Sequence, residues 1–466
     1  MFNGKSHRFL TRRDFLKASL LATAGMALAA CTPKVVKETV VVEKEKVVEK
    51  VVTEAPAPKG KTVIKFMQGF QPGENEYPFF EWARTEYNAR QQAVEVTHMD
   101  SPRTDMMTVF QTMSARGDPP DLLIAGPINS AMARSGVLRS LDEFVDTPIN
   151  YGKDPNTAWF KVYNQALIEM QKVDGKHYGV PCEGAYTFVI YYNQDFFEKH
   201  KTTPPKTWTE LIKVADVYKA AGIAPFTLAG VWPYYMHWWF FTLAQRTAGT
   251  DALVAAMFKD KATSWNQPDF LLAAQEIQKL RDGKYFVDGF QGMDHIASHM
   301  EFLSSRAAMD FVGTWFPGEM GGSIPADFKY ASFSFPAYEG GKGDPTFAQL
   351  WANNIYNTST KYIPEAIDYL KWWSSDIVQD QQAEMLGTVS ARAGAKCPPV
   401  QTGACDQVAN AKGVAGYEFD IYGFDNKLES AYQKAAVEFF FGTTDAKGYV
   451  EGLDAAKQAY FKAKEG

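Results

Sequence analysis

The sequence predicts an α/β fold with more than one sheet, and three observations carry that prediction. Apolar strand-forming runs alternate with segments of helical spacing: Lys61–Gln68 and Val94–His98 read as strands, Glu76–Gln91 and Thr104–Ala115 as helices. Near the middle, Asp174-Gly175 is a two-residue turn signal between strand-forming residues. Pro181 then removes a backbone donor and stops regular pairing. Thr187–Tyr192 is an unbroken β-branched and aromatic run, the pattern of a strand buried on both faces and typical of parallel sheets. One strand therefore approaches Pro181, the chain bends at Cys182–Tyr186, and a second sheet begins. With 466 residues, 46% hydrophobic and 14% aromatic, the chain can fill large cores in two or three domains.

The first 31 residues read as an export signal. Thr11-Arg12-Arg13-Asp14-Phe15-Leu16-Lys17 resembles a twin-arginine motif, and Ala18–Ala30 is too short and weakly apolar for a good spanning helix. Leu28-Ala29-Ala30-Cys31 resembles a lipobox, in which Cys31 is lipid-modified and becomes N-terminal. These two resemblances imply an exported protein, lipid-anchored at the cell membrane on its outer or periplasmic side. Formal charge is −6, and removing the net +4 of the first thirty residues leaves −10, which argues against a nucleic-acid partner. Residues 32–60 alternate Val pairs with Lys and Glu and end in Ala55-Pro56-Ala57-Pro58. Such a low-complexity segment cannot bury a core and reads as a tether; a short coiled coil through Val36, Val40, Val47 and Val51 is the competing reading.

Beyond the tether, Gly69–Gly73 forms a loop at the carboxyl end of the first strand, the end at which open α/β sheets bind ligands. Pro204–Glu210 opens a helix, with Thr207 and Glu210 at capping-box spacing. Ile363–Ser374 reads as a helix. Four stretches carry a family resemblance. They are Asp174-Gly175-Lys176 with Tyr178-Gly179-Val180-Pro181 and Tyr191-Tyr192-Asn193; Gly117 through Pro120-Asp121; Gly136 through Leu141-Asp142; and Phe302 through Ala307-Ala308-Met309 to Gly313-Thr314-Trp315. Over about residues 61–466 the chain resembles the carbohydrate-type extracellular solute-binding proteins of ABC importers. Ser305 departs from the glycine usual at that point of the pattern.

The resemblance implies a type II periplasmic-binding-protein-like fold: two lobes joined by three hinge crossings. Lobe one would be 61–186 plus 349–387, and lobe two 187–348 plus 388–466. The crossings would lie at Cys182–Tyr186, near Phe347–Trp351, and at Leu386–Arg392. It also implies capture of a mono- or oligosaccharide outside the cytoplasm, delivery to ABC permease subunits, and a monomeric protein without cofactor or enzymatic activity. The alternatives are a sugar phosphate or sugar acid as ligand, a glycan sensor, or a glycan-active enzyme.

Aromatic faces stack on the C–H faces of sugar rings, while amides and carboxylates bond the hydroxyls. Tyr186, Trp232, Trp315 and Trp351 sit where the family places cleft residues. The competing reading of each is core packing, which is preferred for Trp238–Phe241 inside an apolar helix. Glu183, Glu74, Asn129 and Arg392 are polar candidates for the cleft wall, and Arg392 could pair with an anionic ligand. Cys397 and Cys405 flank Pro398-Pro399 in a loop suited to a local disulfide in an oxidising compartment. That leaves Cys182 as a small wall residue, with no His or Asn pattern to make it a nucleophile. His295 and His299 have i, i+4 spacing but lack the Glu of a zinc protease motif; they are expected at the surface or cleft, and no metal site is expected.

Overall fold

The computed structural model describes residues 60–126, 130–170, 172–259, 261–348, 350–358, 361–411, 413–414 and 426–465. The expectations for residues 1–31 and for the tether, apart from its last residue, lie outside these residues.

The chain begins with β1 (Thr62–Gln68), α1 (Tyr77–Arg90), β2 (Val94–Asp100), α2 (Arg103–Ala115) and β3 (Leu122–Ala125). β1 pairs in parallel with both β2 and β3. After a hairpin, β4 (Gly179–Pro181) leads through residues 182–187 into β5 (Phe188–Asn193). In that hairpin Lys172 faces His177, with Asp174 at φ 51° and Gly175 at φ 78°, the conformation a two-residue turn requires.

Then come α3 (Trp208–Ala220), β6 (Ala224–Thr227), α4 (Pro233–Ala248), α5 (Pro268–Asp282), α6 (His295–Leu303), β7 (Ala307–Gly313), α7 (Phe316–Met320) and β8 (Tyr330–Ser334). The Thr207–Glu210 capping box opens α3, both bonds being made. Ser305 has φ 60°, the left-handed region that favours glycine, so its departure from the family pattern places a side chain where glycine costs least. The chain closes with β9 (Asn354–Asn357), α8 (Ile363–Trp373), α9 (Asp376–Leu386), α10 (Thr402–Ala409), α11 (Asn426–Phe440) and α12 (Ala446–Glu465).

The two larger sheets have the orders β2-β1-β3-β9-β4 and β8-β5-β7-β6. The first packs under α1 and α8, where Trp373 lies against Phe66, Phe79 and Phe80, and α9 packs against these two helices. Against the second lie α3 on β6, α6 on β6 and β7, and α10 on β5 and β8, with α4 packed on it through Trp238 and Trp239 and α5, α11 and α12 packed behind α4. β5 is buried on both faces as its residues predict. The expected parallel pairing does not follow: β5 runs antiparallel to both β8 and β7. Helices cover both faces of this mixed sheet, and coverage, rather than strand direction, is what an apolar run reports.

The two sheets with their helices are the two lobes. Three segments join them and run side by side: Cys182 N donates to Asn353 O at 2.9 Å, Tyr186 N to Trp351 O at 2.7 Å, and Ala185 N to Val389 O at 2.7 Å.

Candidate ligand-binding cleft

In the first sheet, β1 lies between β2 and β3, so the connections from β1 and β3 leave at a point where strand order reverses. A crevice opens there at the carboxyl ends. Because β9 runs antiparallel to β3 and β4, its start meets the ends of both, with Asn354 opposite Ala125 and Pro181. Asn353 and Glu183 are thereby delivered to the same edge as Gly69 and Phe70 after β1. With Arg103, Met106, Met107 and residues 124–126 they enclose a pocket of about 280 Å³.

Local bonding makes this wall rigid. Gln68 is fully buried and clamps the Phe70 backbone, accepting from its N at 2.6 Å and donating to its O at 2.8 Å. The Arg103 guanidinium lies 4.0 Å from the Phe70 ring centre, a cation–π contact. Glu183 is 6% exposed, and its Oε2 accepts from Tyr186 Oη at 2.5 Å and Asn353 Nδ2 at 2.7 Å. Burial, then the Glu183 charge, holds the Tyr186 phenol well above its usual range, so it stays a donor. Glu76, 4.0 Å from Arg103, is raised by burial, which outweighs that cation, with Glu183 adding to the rise.

The second lobe presents rings. Trp315 follows β7, and its indole folds back over Gly313, where a Cβ would overlap the ring. It is half-buried and meets Tyr186 and Trp351 of the hinge at 5.7 and 5.6 Å, and Trp238 and Phe188 of its own lobe at 5.7 and 5.8 Å. Thr314 anchors the turn, donating from N to Thr187 O and from Oγ1 to Ala185 O, both at 3.0 Å.

Behind this face lies a charged cluster. His299 is fully buried; Nδ1 is 2.7 Å from Asp310 and Nε2 3.5 Å from Glu319, which also pairs with His295 at 3.3 Å. Burial opposes charge on His299, but Asp310 and Glu319 outweigh it and raise the ring to about 9. Burial likewise opposes ionisation of Glu319, yet the two histidines bring it down to about 2. Among the described residues no group of three or more His, Cys, Asp and Glu is placed to hold a metal ion. Across the cleft, Asn75 Nδ2 donates to Glu319 O at 2.9 Å, a direct bond between the lobes.

Residues 73–380 match the profile of the bacterial extracellular solute-binding proteins. The chain belongs to that family. It is 25% identical over 293 residues to a probable sugar-binding periplasmic protein of Rhizobium meliloti; the match spans 62% of this chain and 66% of that one. A structure solved in work on xylan utilization by Caldanaerobius polysaccharolyticus superposes with a TM-score of 0.70 at 22% identity, covering 84% of this chain and 99% of the other. The solute-binding protein RafE, in complex with raffinose, superposes at 0.68 with 18% identity, covering 86% and 100%.

In this solute-binding protein the fold brings four of the expected site residues together: Glu183, Tyr186, Trp315 and Trp351. Trp232 lies further along the second lobe, 39% exposed, with ring neighbours Tyr234 and His295. Glu74 is exposed in the loop before α1, where its Oε2 accepts from Gln71 N at 3.1 Å. Asn129 lies outside the described residues. Arg392 is not among the lining residues of the pocket; its Nη1 donates to Ser374 O at 3.0 Å and its backbone bridges Tyr163, both hinge-side contacts.

His299 corrects the expectation of a surface or cleft position, because Asp310 supplies a partner inside the core. Cys397 and Cys405 are joined, and Cys182 is unpaired and buried. Burial, then the Glu183 charge, pushes the Cys182 thiol well up, and its carbonyl accepts from Trp373 Nε1 at 3.1 Å. Trp239, Phe240 and Phe241 have no exposure, as core packing requires, whereas Trp238 also joins the Trp315 cluster. The spacing of Tyr234, Tyr235 and Trp238 on one helix face was the available signal. Sequence reasoning does not single out Arg103, Phe70 or Asn353 as site residues; the loop after the first strand holds Phe70 and marks the ligand end of the sheet, whereas Arg103 and Asn353 carry no local signal.

Proposed function

We propose that this protein captures a carbohydrate outside the cytoplasm and delivers it to the permease of an ABC importer. One observation carries the ligand class: Glu183 is braced by Tyr186 and Asn353, and the Tyr186 ring in turn meets the rings of Trp315 and Trp351. A braced carboxylate accepts from sugar hydroxyls while the indoles take the ring faces. The names of its relatives, a sugar-binding periplasmic protein and a raffinose complex, support the same reading. Ligand docks on one lobe and the lobes close, because the ligand touches both only when closed. The protein acts as a monomer without turnover, on lobes of 61–186 plus 349–387 and 187–348 plus 388–466. It is exported by the twin-arginine route and held by lipid on Cys31.

Titration calorimetry of the chain from residue 32 onward with a panel of sugars tests the binding reading. Trp315→Ala should weaken binding about tenfold, from a stacking loss of about 1–1.5 kcal/mol. Product in excess of protein, with contaminants excluded, would refute it in favour of an enzyme. Cys31→Ala should release the protein from membranes, and full sedimentation after a carbonate wash would refute the anchor. A second reading, an anionic sugar, is favoured by Arg103 at the pocket. It requires a uronic acid to bind more tightly than its neutral hexose, and Arg103→Met to abolish that preference.

A further inference from the structure

The aromatic residues at the cleft form a connected row. Trp351 meets Trp315 at 5.6 Å, Trp315 meets Trp238 at 5.7 Å, Trp238 meets Tyr234 at 4.9 Å, and Tyr234 meets Trp232 at 5.6 Å. Exposure changes along the row. Trp351 and Trp238 are each 8% exposed, Trp351 closed in by the hinge and Trp238 backing the row, while Trp315 and Tyr234 are half-buried and Trp232 is 39% exposed. The row is blocked at one end and open at the other.

A single sugar ring needs the two or three rings beside Glu183 and no more. Trp232 is three ring contacts from Trp315, too far to touch the same sugar, and nothing in the core requires it to lie exposed. Large apolar side chains left exposed beside a polar cleft mark a ligand or partner surface. Its own neighbours fix its position: Tyr234 on one side and, edge to face at 5.7 Å, the His295 ring on the other. His295 pairs with Glu319, whose backbone oxygen accepts from Asn75 of the first lobe. The open end of the row therefore lies at the rim where the two lobes meet.

We infer that the ligand is an oligosaccharide, bound with one end against Trp351 and Glu183 at the hinge and later units running out over Tyr234 to Trp232. This rests on the carbohydrate reading and adds a length and a direction to it. Units beyond the first gain the rings of Tyr234 and then Trp232 to stack on, and units past Trp232 gain nothing.

The test is calorimetric titration of the wild-type protein and Trp232→Ala with xylo-, chito-, malto- and raffinose-series sugars of one to five units. Trp232 is exposed at the start of α4, and a thermal melt without ligand checks that the variant is folded. In the wild type, affinity should rise with length and then level off. In Trp232→Ala the longest sugars should bind about threefold to tenfold more weakly while the shortest are unchanged. If the monosaccharide binds as tightly as any longer sugar, the inference is wrong and the carbohydrate reading stands. If length helps but Trp232→Ala leaves that gain intact, the row is not the binding path, and the rim is left for a protein partner. If no sugar of any length binds, the carbohydrate reading itself falls.

Discussion

Replacing Gly313 by Ala should reveal how Trp315 is held. Gly313 is buried in β7, opposite Phe188, and its backbone is not left-handed, so an added methyl meets no conformational penalty of its own. It would instead overlap the six-membered ring of Trp315. The indole has rings on several sides and cannot move without loosening Tyr186, Trp351 or Trp238. Overpacking of this kind costs about 1–3 kcal/mol. Trp315→Ala alone should cost about 2–3 kcal/mol, below the value for a fully buried Trp because the ring is only half-buried.

The informative measurement is the pair. With the indole removed, the Ala methyl occupies vacated space, and replacing a strand glycine recovers about 0.5 kcal/mol of chain entropy. The double variant should then be no less stable than Trp315→Ala, a coupling of about 1–3 kcal/mol in a double-mutant cycle. Urea denaturation of the four proteins, read from midpoints at constant slope, supplies the numbers. Additive costs, with coupling below about 0.5 kcal/mol, would refute the packing of Trp315 on Gly313. Gly313→Ala should also weaken sugar binding, since the displaced indole is a proposed ligand contact.

Two further predictions concern stability alone. His299 is raised to about 9 and Glu319 lowered to about 2. The histidine contribution is complete below its unfolded value of about 6.5 and is lost as pH rises through about 9; that of Glu319 is complete above its unfolded value of about 4.3 and is lost as pH falls through about 2. Melting temperature against pH should therefore fall on the alkaline side of about 6.5, and His299→Gln should flatten that limb; an unchanged limb would exclude His299 as its source. Thr207→Ala removes one bond of the capping box on α3 and should cost about 1 kcal/mol by urea denaturation, with Glu210→Ala adding less in its presence than alone.

What the sequence determines here is local or periodic. The Asp174-Gly175 turn, the Thr207–Glu210 cap, the helix at 363–373 and the two-faced burial of 188–193 each depend on neighbours a few residues apart, so residue type and spacing suffice. Motif order likewise points to the solute-binding family. The direction in which β5 pairs is not local, because an apolar strand is equally satisfied by parallel or antiparallel neighbours once both faces are covered. The site is less local still. Glu183 could be recognised as a cleft candidate, but its braces come from Tyr186 and from Asn353, 170 residues away. Arg103 becomes a wall residue only because β1 and α2 place it over Phe70. Arg392 fits an anion site by type, yet the hinge directs it to a backbone carbonyl. His299 fits a surface by spacing, yet Asp310 on β7 neutralises the cost of burying it. The deciding partner lies 11 residues away for His299 and 170 for Glu183, and in each case the packing of one element on another, which residue type and spacing do not encode, brings it into contact.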